Sequence, residues 1–248
     1  GDHRVRTVPP TSVWEPMTEQ PASPSHDGRL ARRILTIGAV VAAWLAFDAH
    51  LGSHRVSRAR AANLRGRIRS VHRANPIRAG ETVFLGDSIT FDGDWEVAFS
   101  DLGARNRGIG WDTTDDLLER LDESLDGPPA TVVFMIGTND LNIGVPHAQT
   151  VRNVAHLLDR TAAAAPNARI IVQSVLPRTD RYQPLVAPLN AALSRVAVER
   201  DVEFVDHTER FAGQDGRLDP ALHDDGIHPN GNGHLFLVEA LRPLLDRP

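Results

Sequence analysis

The 248-residue chain contains no cysteine, and all 27 of its basic residues are arginine, because lysine is absent too. Without cysteine there is no disulfide, no thiolate nucleophile and no cysteine-ligated zinc, while the compartment stays open. Without lysine, Schiff-base chemistry, a lysine general base and a P-loop lysine are all excluded. The conspicuous apolar run, residues 34–47, falls short of the roughly 18–20 residues that comfortably span a bilayer. No internal repeat is visible.

What is present supports a folded domain. With 41% hydrophobic and 24% charged residues, a normal core can be buried. The net charge of −5 conceals an asymmetry, with residues 1–80 at +8 and residues 81–248 at −13. A basic arm on an acidic body points to an arm that meets an anionic surface, or to a solvated arginine-rich linker. The acidic body is a poor nucleic-acid binder.

Residues 1–28 are proline-rich and aperiodic, and read as a disordered leader. Arg29, Arg32 and Arg33 then precede the apolar run. A positive flank with a short apolar core fits an export signal, and Arg32-Arg33-Ile34-Leu35 has a loose twin-arginine look. The long leader and the lack of a clean cleavage site argue against cleaved export. Five arginines in residues 48–67, against three in residues 14–33, would hold the downstream side in the cytoplasm. Three readings follow for residues 34–47: a signal, an interfacial anchor, or a buried helix. Localisation is therefore expected to be membrane-associated or exported, with a cytoplasmic chain as the alternative. Residues 53–73 carry seven arginines with Val56, Leu64, Ile68 and Val71 at roughly helical spacing. This basic amphipathic segment suits an anionic membrane surface contacted through residues 29–73, or a solvent-exposed helix leading into the domain.

After Gly80 the pattern changes. Strand-like runs at 82–85, 105–109, 131–136, 169–175 and 202–206 alternate with helical patterns at 114–124, 148–164, 186–200 and about 234–246. Such βαβ repetition predicts a parallel sheet covered on both faces, a three-layer α/β/α domain over residues 81–248. All carboxyl ends of a parallel sheet lie on one edge, where open α/β sheets bind ligands. Ser88 follows the first strand and Gly108-Ile109-Gly110-Trp111-Asp112 the second. Gly137-Thr138-Asn139-Asp140 follows the third, and Asp225-Gly226-Ile227-His228 lies after the fifth. Serine needs an adjacent base, which His228 can supply. Asp225 can fix the imidazole tautomer and stabilise the imidazolium. The oxyanion of a tetrahedral intermediate needs preorganised donors, available from the Ser88 amide, the glycine-rich turn and Asn139. Asp224 reads as a solvated neighbour of Asp225, and a metal at His223, Asp224 and His228 is disfavoured. Asp87 is expected to brace its turn. Arg178, Asp180, Arg181 and Tyr182 form either a substrate wall or a solvated crossing.

The four blocks, Gly86-Asp87-Ser88-Ile89-Thr90, Asn106 to Thr114, Gly137-Thr138-Asn139-Asp140 and Asp225 to Asn230, resemble those of the SGNH (GDSL) hydrolase superfamily in order and spacing. The resemblance covers about residues 81–245. It implies a flavodoxin-like strand order 2-1-3-4-5, no metal or organic cofactor, Ser88 as nucleophile, His228 and Asp225 as its partners, and Asn139 as an oxyanion donor. In one place the chain departs from the pattern. The glycine whose amide lines the oxyanion hole in that superfamily falls on Trp111, preceded by Gly110. The amide survives if the turn tolerates a Cβ, and the indole then either stands near the site or packs away on the following helix. The implied activity is hydrolysis of a lipid or carbohydrate ester through an acyl-enzyme. Acyl transfer to a sugar or lipid hydroxyl is the alternative, and a catalytically silent binding module the rival from another class.

Overall fold

The structure is a computed structural model that describes residues 63–246. The expectations for the leader, the apolar run and the first arginines of the arm lie outside those residues. Among the described residues, no helix is long and apolar enough to cross a membrane.

In chain order the elements are α1 (residues 63–74), β1 (Thr82–Gly86), α2 (Ser88–Phe91), α3 (Trp95–Ala98), β2 (Arg105–Gly108), α4 (Thr114–Ser124), β3 (Thr131–Met135), α5 (Thr138–Ile143), α6 (His147–Ala164), β4 (Arg169–Gln173), α7 (Gln183–Val198), β5 (Glu203–Val205), α8 (Thr208–Phe211) and α9 (Gly231–Leu245). The five strands form one parallel sheet in the order β2-β1-β3-β4-β5. That is the order implied by the superfamily resemblance.

Side chains alternate across this sheet, and each face has its own core. Val83 and Leu85 of β1, with Val132 and Phe134 of β3, pack with Leu117 and Leu121 of α4, Leu157 of α6 and Leu189 of α7. Phe84, Val133 and Met135 face the opposite way, toward Trp95, Phe99, Phe211, Leu237 and Leu241. Because both faces are covered, the central strands read as unbroken apolar runs. Phe84 stacks on Trp95 at 4.5 Å between ring centroids. Each such buried side chain contributes roughly 1.5–3 kcal/mol.

The described part of the arm does not stand free. Arg65, Arg69 and Arg73 of α1 recur every four residues and so share one face. Arg65 pairs with Asp116, Arg69 with Glu119 and Glu123, and Arg73 with Glu123, all on α4. These three guanidinium groups were expected to face an anionic membrane or solvent. The helix is mostly exposed and leads into the domain, as the second expectation had it, and these three guanidinium groups pair with the domain's own carboxylates, so at these positions the basic arm offsets the charge of the acidic body.

Candidate active site

The Ser88 position is built by close approach. A Cβ on Gly86 would lie 2.2 Å from the Met135 carbonyl oxygen, and one on Gly108 would lie 2.3 Å from the Phe91 nitrogen. Only glycine at these strand ends lets α2 sit down on β1 and β2. Ser88 is therefore the first residue of a short helix, where the sequence suggested only a turn. Asp87 caps that helix, its Oδ1 accepting from the Ile89 N–H at 3.0 Å. Burial pushes the Asp87 carboxyl up to about 7, against the opposing pull of the Ile89 N–H and with a further push from Asp112.

Three side chains then meet in a relay. Ser88 Oγ lies 2.9 Å from His228 Nε2, and His228 Nδ1 lies 2.6 Å from Asp225 Oδ2. Asp225 Oδ1 also accepts the backbone N–H groups of Ile227 and His228, at 2.9 and 2.8 Å. Partial burial pushes this carboxyl up, but the His228 N–H, the His228 ring and the Ile227 N–H outweigh it and bring it down to about 2. The loop turns sharply at Gly226, whose φ is +86°. Asp224 is exposed, whereas His223 Nδ1 accepts the Gly226 N–H at 2.7 Å and braces the loop. A Ser Oγ hydrogen-bonded to an imidazole, itself held by an ionised carboxylate, is an arrangement able to deprotonate the hydroxyl.

Of the expected oxyanion donors, the Gly110 turn adjoins Ser88. Among the described residues, the Ser88, Gly110 and Trp111 amides donate to no protein acceptor. A Cβ on Gly110 would stand 3.9 Å from Ser88 Cβ, so this turn adjoins Ser88. Trp111 adopts φ +70°, the left-handed region that favours glycine, so the turn keeps its shape despite the side chain. Its indole is 66% exposed and is not buried on α4. Asn139 is buried, and its Nδ2 donates one hydrogen to the Asp112 carbonyl at 3.1 Å, leaving the second available.

Behind these groups lies a polar layer that the sequence did not disclose. Asp112 is wholly buried and accepts from Arg120 Nε at 2.6 Å and Arg65 Nε at 2.9 Å. Arg120 also donates to the Gly86 carbonyl at 3.1 Å. One buried ion pair thus ties the turn carrying Gly110 and Trp111 to the end of β1, and Arg65 adds the arm. Burial raises the Asp112 carboxyl, while Arg120 and Arg65 pull it back. Arg178 is neither a substrate wall nor a solvated crossing. It is 1% exposed and donates to the Thr138 carbonyl at 3.0 Å and to Asn142 Oδ1 at 2.6 Å. Asn142 in turn donates to Asn139 Oδ1 at 3.2 Å, which together with the Asp112 carbonyl fixes the orientation of that amide. Asp180 braces Arg178, and Tyr182 donates to the Asn142 carbonyl at 3.0 Å.

Residues 84–235 match the model of the GDSL-like Lipase/Acylhydrolase family. The platelet-activating factor acetylhydrolase IB alpha2 subunit of Bos taurus is 31% identical over 182 residues, covering 66% of this chain and 76% of its own. The corresponding alpha1 subunit of Homo sapiens is 32% identical over 179 residues, covering 67% and 76%. Among solved structures, one from Streptococcus pneumonia, provisionally described as a platelet activating factor, has a TM-score of 0.73 at 25% identity, covering 78% of this chain and 98% of its own. A GDSL-like lipase from Bacteroides thetaiotaomicron has a TM-score of 0.64 at 24% identity, covering 71% and 95%.

Proposed function

Because this chain belongs to the GDSL-like lipase/acylhydrolase family and is a hydrolase acting on ester bonds, we propose that it is a serine esterase that removes a short acyl group, acetyl above all, through an acyl-enzyme on Ser88. The observation that carries the reading is the Ser88–His228–Asp225 hydrogen-bonded relay. Ser88 Oγ attacks the ester carbonyl while His228 Nε2 takes its proton. The proton then passes to the departing alkoxide, and the alcohol leaves. Water, deprotonated by the same nitrogen, attacks the acyl-serine and releases the acid. Asp225 holds the imidazole and stabilises its cation. The Ser88, Gly110 and Trp111 amides and Asn139 receive the oxyanion.

Two observations favour a short acyl group. The relay is shallow, with the His228 and Asp225 side chains 36% and 54% exposed, and so offers little burial for a long chain. The curated relatives are acetylhydrolases by name. The alcohol portion is a lipid or carbohydrate hydroxyl, and no cofactor or metal enters the scheme.

A fluorophosphonate probe should label the wild type and fail on Ser88→Ala. An unlabelled wild-type chain refutes the mechanism. In a p-nitrophenyl ester series, kcat/KM should be greatest for acetate and fall with chain length. Acyl transfer remains the second reading, since deacylation differs only in which hydroxyl enters. If a candidate sugar or lipid acceptor diverts acyl groups from free acid, transfer is the activity.

A further inference from the structure

A polar cavity of about 430 Å³ opens between the end of α1 and the edge strand β2, lined by Val71, His72, Asn75, Phe91, Glu96 and residues 105–108. Arg105 and Arg107, two apart on β2, present their guanidinium groups on the same face of the strand. Arg107 is 2% exposed, yet its Nε has no hydrogen-bond partner among the described residues. Its one described bond goes from the other end of the guanidinium to the Asn75 carbonyl, which Arg105 Nη2 shares at 3.0 Å. Arg105 reaches a carboxylate, that of Glu81, only at 3.5 Å. None of the described carboxylates forms a salt bridge with Arg107, and Asp126, Glu81 and Glu96 act on it only from a distance. His72, 8% exposed, completes the wall, and Val71 and Phe91 form an exposed apolar rim.

A buried guanidinium with an idle N–H and no counter-ion is costly, and burying a charge is tolerated when it is paired. Asn106 does not serve, because its acceptor Oδ1 takes the Gly108 N–H at 2.9 Å, while its Nδ2 is a donor, held by the Thr90, Phe91 and Gly93 carbonyls. Paired arginine forks match the oxygens of a phosphate group. Glu96 on the same wall opposes an anion, but two guanidiniums outweigh one carboxylate. The cavity exceeds the needs of a bare ion, and its rim is apolar.

We propose that this cavity is a binding site for a phosphate ester, with the phosphate oxygens on Arg105 and Arg107 and the organic part toward Val71 and Phe91. The site is separate from the Ser88 relay. It takes no part in the ester chemistry and does not depend on the reading of that chemistry. It exists only while α1 is docked, so it ties the arm to the domain through a ligand.

The test is thermal unfolding of the full chain in chloride buffer, titrated with inorganic phosphate and with glycerol 3-phosphate at constant ionic strength. At about ten times its Kd the ligand should raise Tm by roughly 3–6 °C. Arg107→Met removes the buried charge but keeps apolar bulk, so it should fold and lose that response, while Arg195→Met at an exposed site should keep it. If Arg107→Met does not fold, Arg105→Gln should weaken the response about tenfold in concentration. Co-sedimentation with phosphatidic acid vesicles, against phosphatidylcholine vesicles, identifies the source. Arginine-dependent capture by the former assigns the site to a lipid headgroup, and a response to soluble esters alone assigns it to a free phosphate ester. No Tm change at tens of millimolar and no vesicle capture overturns the proposal. So does a response that survives in both Arg107→Met and Arg105→Gln.

Discussion

Replacing Trp111 separates what the backbone of the proposed oxyanion turn does from what its side chain does. At φ +70° a residue with a Cβ carries left-handed strain of roughly 1–2 kcal/mol. Glycine relieves that strain but loses about 0.5–1 kcal/mol through its freer unfolded state. Trp111→Gly should therefore be more stable than Trp111→Ala by roughly 0.5–1 kcal/mol, about 1–4 °C in Tm for a domain of this size. At most sites away from turns the order is the reverse. The indole is 66% exposed, so neither variant loses much packing. Both keep the amide N–H, and kcat on p-nitrophenyl acetate should stay within a few-fold of wild type. Loss of a single oxyanion donor, by contrast, costs on the order of 10²–10³ in kcat. KM for a bulkier ester should change wherever the indole meets the alcohol portion. Calorimetry of the pair with steady-state kinetics makes the measurement. A hundredfold fall in kcat in a folded Trp111→Gly protein, or alanine more stable than glycine, refutes the reasoning.

Other substitutions test the remaining parts. Asp225→Asn should lower kcat by about 10⁴, as when a triad imidazole is held in the wrong tautomer, measured with p-nitrophenyl acetate. Because the Asp225 carboxyl sits at about 2, below its unfolded value, its stabilising contribution is present above about pH 4 and disappears as pH falls through about 2; chemical denaturation of wild type and variant across that range should converge at the acid end. Asp87 has the opposite sign. Its carboxyl is raised to about 7, so stability is full below about pH 4 and declines as pH rises through 7, and Asp87→Asn should flatten that decline. Arg65→Ala leaves Asp112 with Arg120 alone, and should cost about 1–2 kcal/mol of stability with a severalfold lower kcat, read by denaturation and kinetics. Gly86→Ala forces a Cβ onto the Met135 carbonyl and Thr90, and should destabilise by more than about 3 kcal/mol in thermal unfolding.

The sheet was legible because each strand is a short β-prone run buried on both faces, and the relay because its residues follow strand ends. Helix α4 matches its expected span over Thr114–Ser124, where a capping box from Thr113 to Asp116 marks the start. Helix α7 begins three residues before its apolar pattern, at Gln183, with a proline in its first turn. The helices α2 and α5 escaped notice because four and six residues are too few to display a period. The layer behind the site was hidden for a different reason. Arg65 and Asp112 stand 47 positions apart, and Arg178 and Thr138 stand 40 apart. No local pattern signals contacts that exist only once helices have docked.

The family match begins at residue 84, yet α1 ends ten residues before it and contributes a guanidinium to the buried Asp112. The matched segment is therefore shorter than the segment that folds together. Residues 63–74 must travel with the hydrolase body in any recombination that leaves the Gly110–Trp111 turn unchanged. A chimera joined at residue 80 would keep every recognisable motif and still strip three arginines from α4. Its Asp116, Glu119 and Glu123, aligned along one helix, would then repel one another beside the site.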